Sequence, residues 1–387
     1  CNQLDEGILK ARVRQRTSDI RGEYYRDTTA IIHSSPFRRL KHKTQVFFAP
    51  SNDHICTRME HCLHVASIAS TICRGLGMDT ELAWAIGMGH DLGHTPFGHT
   101  GERIISRLME ERGFPPFEHE VNSLRMVDFL ADKGKGLNLT YAVRDGIVSH
   151  CGEQFTQRLE PDFHVKNLAS ITTRKGLVPA TWEAVVVRFS DSIAYLGRDY
   201  EDATRLGVIE EKELPSVVRE KLGTTNGEII NSLVNDIIDH SGEGGIQFSD
   251  ELFSVVRTMT EFNYENIYQS SMLRGYDAYF TRLITLVVEY LERLEREGGD
   301  DEAYYQEEHN MLALGYYRHH GDEGRLCVPR RKSETHGFRL CRGNERQFLS
   351  GLRRRDSQTD SRGGDGDGQV VRRPLEQDVG KLPFGDV

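Results

Sequence analysis

Apolar residues recur at intervals of three and four positions along most of the chain up to residue 297. In residues 57–74, TRMEHCLHVASIASTICR, this spacing places Cys62, Val65, Ala69 and Ile72 on one face of a helix. The same pattern predicts further helices over residues 79–90, 101–112, 118–133, 140–149, 179–203, 228–240, 249–267 and 276–297. Alternating, strand-like patterns are scarce, so the sequence predicts an all-α protein.

The helical pattern is lost beyond residue 317. Segments such as RRRDSQTDSRGGDGDGQ (353–369) are rich in Arg, Gly and Asp and lack the apolar side chains that a core needs. The sequence therefore predicts one helical domain over residues 1–317 and a disordered tail over residues 318–387.

Composition narrows the class of protein. The 387 residues are 37% hydrophobic, which is enough for a core. Seven scattered cysteines without a CxxC pair argue against a disulfide framework and a zinc ribbon. The net charge of −10 disfavours non-specific coating of nucleic acid. No run reaches the ~20 apolar residues of a membrane span, and the first residues lack an apolar signal segment, so we expect a cytoplasmic protein with no membrane contact.

The candidate chemistry is concentrated in residues 90–102, HDLGHTPFGHTGE. Buried imidazoles need partners for their nitrogens, so a core has little use for three histidines in one turn-rich segment, whereas a catalytic pocket has. Asp79 is a plausible N-cap for the preceding helix, and Gly93 and Pro96 end it. The motif is thus predicted at a helix C-terminus and in the following loop.

Imidazoles and carboxylates on three predicted helices suit a divalent cation such as Mg, Mn, Fe or Co. His61 lies on the first helix, His90 and Asp91 follow the second, and Asp191 lies in VVVRFSDSIAYLGRDYEDA (185–203). An HD dipeptide alone is weak evidence, because about one is expected by chance in a chain of this length. The ordered series of His, His-Asp and Asp is much more specific.

Four segments in order resemble the deoxyguanosine triphosphate triphosphohydrolase (dGTPase) family of HD-domain phosphohydrolases. They are IIHSSPFRRLKHKTQVF (31–47), TRMEHCLHV (57–65), HDLGHTPFGHTGE (90–102) and FSDSIAYLGRDYEDA (189–203). The resemblance covers roughly residues 12–317 and includes FEHEVNSLRMV (117–127). It implies the helical HD-domain fold.

The resemblance also implies roles for individual residues. The positions that match the family's metal ligands are His61, His90, Asp91 and Asp191. The catalytic pair matches His99 and Glu102. The residues that face the phosphates match Arg58 and His94, and those around the sugar and triphosphate match Gln45, Tyr195 and Asp199.

The implied reaction is metal-dependent hydrolysis of a deoxynucleoside triphosphate, dGTP or another dNTP, to deoxynucleoside and triphosphate. His99, supported by Glu102, would handle either the proton or the in-line attack, and the sequence leaves both open. The resemblance further implies a homo-oligomer, with single-stranded nucleic acid as a candidate partner. The preferred base, the metal and any allosteric nucleotide are not indicated.

Two positions depart from the family pattern: His64 stands where Glu is usual, and Arg198 where His is usual. Both are expected near the phosphates. Two alternatives therefore stay open. One is an HD phosphohydrolase acting on another nucleotide, and the other is an inactive nucleotide-sensing or nucleic-acid-binding oligomer.

The tail lacks the D-Y-x-A-G-M-T-D signature that the family carries near its C-terminus. With suitable synonymous codons, a one-nucleotide shift turns FRLCRGNERQF (338–348) into FDYVAGMSDNF. The same shift turns HHGDEGRLCVP (319–329) into TMEMKAAYVS, which is a good helix sequence. We therefore hypothesise a frameshift near residues 317–319, with the chain beyond it non-native.

Overall fold

The computed structural model describes residues 2–17, 19–48, 52–152, 155–299, 301–308 and 311–323, with the side chains of 318–323 left out. The α-helices have the following bounds: α1 Glu6–Leu9, α2 Glu23–Ile32, α3 Ser35–Leu40, α4 Arg58–Gly75, α5 Thr80–Gly89, α6 Gly98–Glu110, α7 His119–Arg125, α8 Ala131–Gly134, α9 Tyr141–Ser149, α10 Trp182–Arg205, α11 Ser216–Lys221, α12 Asn226–His240, α13 Asp250–Asn263, α14 Ser271–Arg274, α15 Asp277–Gly298, α16 Glu302–Glu307 and α17 Met311–Glu323. The backbone of α17 crosses the predicted boundary at residue 317, and most of the proposed frameshifted tail lies outside the described residues.

Non-α elements are short. Two strands, β1 Arg158–Leu159 and β2 Ile246–Gln247, pair antiparallel, with Arg158 opposite Gln247. The 3₁₀ turns are Leu168–Ser170 and Glu211–Glu213, and the π-helical turns are Met126–Leu130 and Tyr264–Tyr268. The all-α prediction is confirmed. Within the described residues, no helix is both long and apolar enough to span a membrane.

The main core is built around α4, α5 and α10. A capping box begins α4: the Thr57 hydroxyl accepts from the Glu60 amide at 3.3 Å, and the Glu60 carboxylate accepts from the Thr57 amide at 2.7 Å. Asp79 caps α5 by accepting from the Glu81 and Leu82 amides. The fixed starting points of both helices set where their site residues fall.

The spacing between α4 and α5 depends on a glycine. A Cβ added at Gly87 would lie 2.7 Å from the Cα of Ala66 and 2.9 Å from its backbone nitrogen. Only a residue without a side chain lets the two helices approach this closely. This contact packs the end of α5, and so the HD pair, closely against α4, the helix that carries His61.

A second core packs α15 against α6. Its buried residues are Ile104, Ile105, Leu108, Phe117, Phe280, Ile284 and Val288. Phe97, just before α6, stacks on Phe280 with ring centroids 3.9 Å apart. On the surface, Arg103 pairs with Asp277 at 2.9 Å. The helix α15 therefore holds in place the helix that carries His99 and Glu102.

A third cluster joins α15, α16 and α17 through Leu291, Leu294, Tyr305, Ala313 and Tyr316. The Tyr305 hydroxyl donates to the carbonyl of Gly299 at 2.9 Å. The described part of α17 thus packs on the preceding helices.

The predicted helices agree with the observed ones to within a few residues at most ends. The predictions over 118–133 and 249–267 each contain a π-helical turn, and the first also includes residues Asp132 and Lys133 at positive φ. Seven helices of the described residues were not predicted, namely α1, α2, α3, α11, α14, α16 and α17. All but α2 and α17 have six residues or fewer, and α2 carries much of its burial through polar residues such as Arg26 and Asp27.

Candidate metal-dependent active site

Three helices deliver a His-Asp cluster to one place. His61 lies in the first turn of α4, His90 and Asp91 follow α5, and Asp191 lies in α10. The Nε2 atom of His61 is 2.8 Å from Oδ1 of Asp191. The Nε2 atom of His90 is 3.7 Å from the same oxygen and 3.8 Å from Oδ1 of Asp91. The four side chains named from the sequence therefore lie around a common point.

The tautomer of His90 is set by the backbone. Its Nδ1 donates to the carbonyl of Gly87 at 2.7 Å, which leaves a lone pair on Nε2. That Nε2 is buried and has no hydrogen-bond partner in the described part of the chain. A buried acceptor without a partner costs about 1–3 kcal/mol, and a cation at the common point would satisfy it. The donor set of two imidazoles and two carboxylates fits a divalent metal.

The two carboxylates are held ionised. Burial alone would raise the pKa of Asp91, but the Arg58 guanidinium, which donates to its Oδ2, brings that pKa well below the ordinary value. Burial opposes ionisation of Asp191 as well, and the hydrogen bond from His61 lowers its pKa. Both groups are therefore charged and ready to bind a cation.

The residues predicted to face the phosphates border this cluster. Arg58 is buried, and its second guanidinium nitrogen is 3.4 Å from the carbonyl of Gln45. The Oε1 atom of Gln45 is buried and has no hydrogen-bond partner among the described residues. Burial and the Arg58 charge lower the pKa of His94 far below its ordinary value, so its ring is neutral. Lys43 donates from Nζ to the backbone carbonyl of His94 and fixes this loop.

Glu102 lies between two imidazoles. Its carboxylate oxygens are 3.1 and 3.2 Å from Nδ1 of His119 and 3.6 Å from Nδ1 of His99. The His99 side chain is 78% exposed, whereas that of His119 is 7% exposed. Although burial disfavours the charged ring, Glu120 and Glu102 raise the pKa of His119 well above its ordinary value. Burial alone would raise the pKa of Glu102, and His119 holds it well below.

Sequence reasoning placed His119 in a family-like segment but gave it no role. The contact with Glu102 joins the start of α7 to α6 across a loop. Helical periodicity in the sequence relates residues three or four apart, so it could not reveal this contact. The available signal was the HE pair in FEHEVNS, which puts an imidazole and a carboxylate side by side.

Two of the three residues predicted around the sugar and triphosphate, Tyr195 and Asp199, lie one turn apart on α10, whereas Gln45 precedes α4. Tyr195 lines a cavity of about 160 Å³ together with Asp191, His150 and Cys151. Asp199, one turn further along, accepts from the Tyr268 hydroxyl at 2.6 Å. Burial raises the pKa of Asp199 to about 7.

The two departures from the family pattern are neighbours in space. Burial lowers the pKa of His64, and the nearby positive charge of Arg198 lowers it further. Arg198 pairs with Glu201 at 2.9 Å. A neutral imidazole beside a paired guanidinium thus stands where the family usually has Glu and His.

Comparisons with known proteins show which family this chain is similar to. The HD domain family profile matches residues 58–196. A "Deoxyguanosinetriphosphate triphosphohydrolase-like protein" of Desulfatibacillum aliphaticivorans is 36% identical over 299 residues, covering 75% of this chain and 80% of the relative. A protein of the same name from Caldanaerobacter subterraneus subsp. tengcongensis is 39% identical over 264 residues, covering 68% and 70%. The crystal structure of a hypothetical protein from Aquifex aeolicus is 18% identical, with a TM-score of 0.39, and the match covers 83% of this chain and 71% of that one.

Proposed function

Because this chain belongs to the deoxyguanosinetriphosphate triphosphohydrolase-like family of HD-domain phosphohydrolases, we propose that it hydrolyses a deoxynucleoside triphosphate to deoxynucleoside and triphosphate. The observation that carries the proposal is the placement of His61, His90, Asp91 and Asp191 around one point. The substrate is dGTP or another dNTP, and the reaction needs a divalent cation such as Mg, Mn, Fe or Co.

The metal would be held by these four side chains. When bound, a divalent cation polarises a phosphate oxygen and lowers the pKa of a coordinated water. The protein's own part is to keep both carboxylates ionised and to present Nε2 of His90, as the Arg58 and Gly87 contacts do. Arg58 and His94 are both buried and both lie beside Asp91, where they would contact the phosphates.

His99 is the residue that would transfer a proton or carry out the in-line attack, and Glu102 is its partner. The exposed His99 ring can reach a bound substrate, and Glu102 orients it from 3.6 Å. The buried His119 holds Glu102 from the other side, so it acts as a positioning residue. This arrangement suits either protonation of the departing 5′ oxygen or in-line attack.

Tyr195 and Asp199 would form the sugar side of the site. The Tyr195 ring lines the cavity beside Asp191, where a deoxyribose could pack against it. The Tyr268 hydroxyl fixes Asp199 at 2.6 Å, and Gln45 offers an amide oxygen without a described partner. Homo-oligomerisation, single-stranded nucleic acid binding and a cytoplasmic location stay predictions from the sequence.

Product analysis tests the proposed reaction. The purified chain is incubated separately with dATP, dCTP, dGTP and dTTP in Mn²⁺ or Mg²⁺, and products are separated by ion-exchange chromatography. We expect deoxynucleoside and intact triphosphate, lost on addition of a chelator. Formation of a deoxynucleoside monophosphate and pyrophosphate would contradict the proposal, and turnover of a monophosphate or cyclic nucleotide alone would favour the other HD phosphohydrolase. Nucleotide binding without any product would favour the inactive sensor.

A further inference from the structure

A second group of metal-ligating side chains lies beside the first. It consists of His119, His150 and Cys151, whose donor atoms all lie within 4.8 Å of one another. The Sγ atom of Cys151 is 3.9 Å from Nε2 of His119. None of these residues belongs to the four ligands of the proposed catalytic cation.

Both imidazoles have Nδ1 bound to an acceptor, which leaves Nε2 as the nitrogen that a metal would take. Nδ1 of His150 donates to the Ile147 carbonyl at 2.7 Å, so its Nε2 carries a lone pair. That Nε2 is buried, and no hydrogen-bond partner for it exists among the described residues. Nδ1 of His119 is held by Glu102, a carboxylate–histidine arrangement that orients metal-binding imidazoles.

We propose that His119, His150 and Cys151 form a second, thiophilic cation site that takes Zn²⁺ and inhibits the enzyme. A tetrahedral zinc bound through nitrogen and sulfur sets those two atoms about 3.5 Å apart, close to the 3.9 Å observed between His119 and Cys151. Thiolate and imidazole donors select Zn²⁺ over Mg²⁺ or Mn²⁺, which prefer oxygen. The two neighbouring sites therefore differ in the class of cation that they bind.

The site has an entrance and a further oxygen ligand nearby. Cys151 and His150 line the cavity of about 160 Å³ that also contains Asp191 and Tyr195. Oδ2 of Asp191 is 3.9 Å from the Cys151 sulfur, while Oδ1 faces His61. Without a cation the thiol is protonated, because burial raises the pKa of Cys151 to about 12.

Binding replaces the Cys151 S–H bond with an S–Zn bond and the Nε2–H bond of the protonated His119 ring with an N–Zn bond. Both protons leave to solvent, so the net charge of the site does not change. The bound Zn²⁺ would engage His119, which positions Glu102, and would occupy the cavity beside Tyr195. Inhibition rests on the proposed function, whereas cation binding itself does not.

Cobalt spectroscopy tests binding without reference to activity. Co²⁺ bound by a thiolate gives a near-ultraviolet sulfur-to-metal charge-transfer band. The full-length chain is titrated with Co²⁺ in a background that replaces the cysteines outside the described residues, namely Cys1→Ser, Cys327→Ser and Cys341→Ser. We expect the band in this background, its loss in Cys151→Ser and its retention in Cys56→Ser, the matched control.

A charge-transfer band that persists in Cys151→Ser would overturn the site. If that band is lost in Cys62→Ala, the sulfur ligand is Cys62, which lies near His90 and Asp91. His150→Ala provides a second test that leaves the thiol in place, and it should weaken Co²⁺ binding by about tenfold or more.

Inhibition is measured separately, as triphosphate release in Mn²⁺ with added Zn²⁺ and relative to each variant's own rate. Cys151→Ser should raise the half-inhibitory Zn²⁺ concentration by about tenfold or more, and Cys56→Ser should not change it. Equal inhibition of both variants would show that Zn²⁺ acts elsewhere. If no dNTP is hydrolysed but the Co²⁺ band depends on Cys151, the proposed function fails and the cation site stands.

Discussion

Each buried charge near the proposed metal has a partner, and the partner decides what a substitution does. Asp91 is bound by Arg58, which is itself buried, whereas Asp191 is bound by His61. Removing one member of a buried ion pair leaves the other charge uncompensated and costs about 3–5 kcal/mol. A histidine can lose its proton, so it does not impose the same cost.

Asp91→Ala and Asp191→Asn should therefore differ in stability and agree in metal content. Both should lose the bound cation and triphosphohydrolase activity, because each removes a proposed ligand. Only Asp91→Ala should also lower the free energy of unfolding, by about 3–5 kcal/mol, since it leaves the buried Arg58 without its ion-pair partner. Metal content is measured by elemental analysis and stability by urea denaturation. Stoichiometric metal in either variant would remove that residue from the ligand set.

His99 and Arg58 should affect different kinetic constants. If His99 handles a proton in the transition state, His99→Ala should lower kcat about 10²–10⁴-fold with KM nearly unchanged. Arg58→Ala should raise KM, because it removes a phosphate contact, and should also lower metal content, because the buried Asp91 carboxylate loses its partner. Steady-state kinetics on the preferred dNTP separates the two effects. Unchanged turnover in His99→Ala would exclude it from the mechanism.

Asp202 makes stability depend on pH. Burial raises the pKa of this carboxyl to about 6, and its Oδ1 has no hydrogen-bond partner in the described part of the chain. A folded-state pKa above the unfolded value destabilises the fold when the group is charged, above pH 6, and this penalty shrinks as the pH falls toward 4. Asp202→Asn keeps an acceptor for the Cys56 amide, so it should raise the melting temperature at pH 8 and raise it less at pH 5. An equal shift at both pH values would show that Asp202 is not charged in the fold.

The sequence predicted which residues lie at the site, but it did not predict which side chains contact each other there. His61, His90, Asp91 and Asp191 were named from their order along the chain, and the structure brings them together. The pairing of Glu102 with His119, and the proximity of Cys151 to Asp191, depend on how distant helices dock. No local pattern in one sequence encodes such contacts.

At the scale of elements, periodicity located the long helices because each buries one apolar face. It did not reveal the π-helical turns after α7 and α13, which keep the apolar pattern while changing the register by one residue. Nor did it predict the distance between α4 and α5, which depends on a single Gly87 contact. That distance decides whether His61 and the HD pair can share a cation.

Gly87→Ala should consequently damage both stability and metal binding. The added methyl meets backbone atoms of Ala66, so the helices must separate, at a cost of about 1–3 kcal/mol. Gly227→Ala in α12 is the matched control, because its new Cβ would have no neighbour within 4 Å. The control should be neutral or stabilising by up to about 1 kcal/mol. Thermal melting and metal content are compared, and full metal content in Gly87→Ala would show that the helix spacing is not critical.

At the scale of the whole molecule, α15 joins two cores but leaves apolar side chains outside. Tyr279 is 61% exposed and Leu286 is 53% exposed. They lie seven residues apart, so they share one face of the helix. Under the frameshift hypothesis, helices encoded by the restored frame would be available to cover this face.

The frameshift hypothesis can be tested in the gene and in the protein. The encoding DNA should contain codons that give FDYVAGMSDNF after a one-nucleotide shift at residues 338–348, and codons that cannot do so would end the idea. Restoring the frame should raise soluble yield and triphosphohydrolase activity together, because an uncovered apolar face promotes aggregation.

Leu286→Glu is the matched probe of that face. It should improve the solubility of the present chain, where Leu286 contacts water, but destabilise the restored chain by burying an unpaired charge. The same effect of Leu286→Glu in both chains would show that the restored segment packs elsewhere.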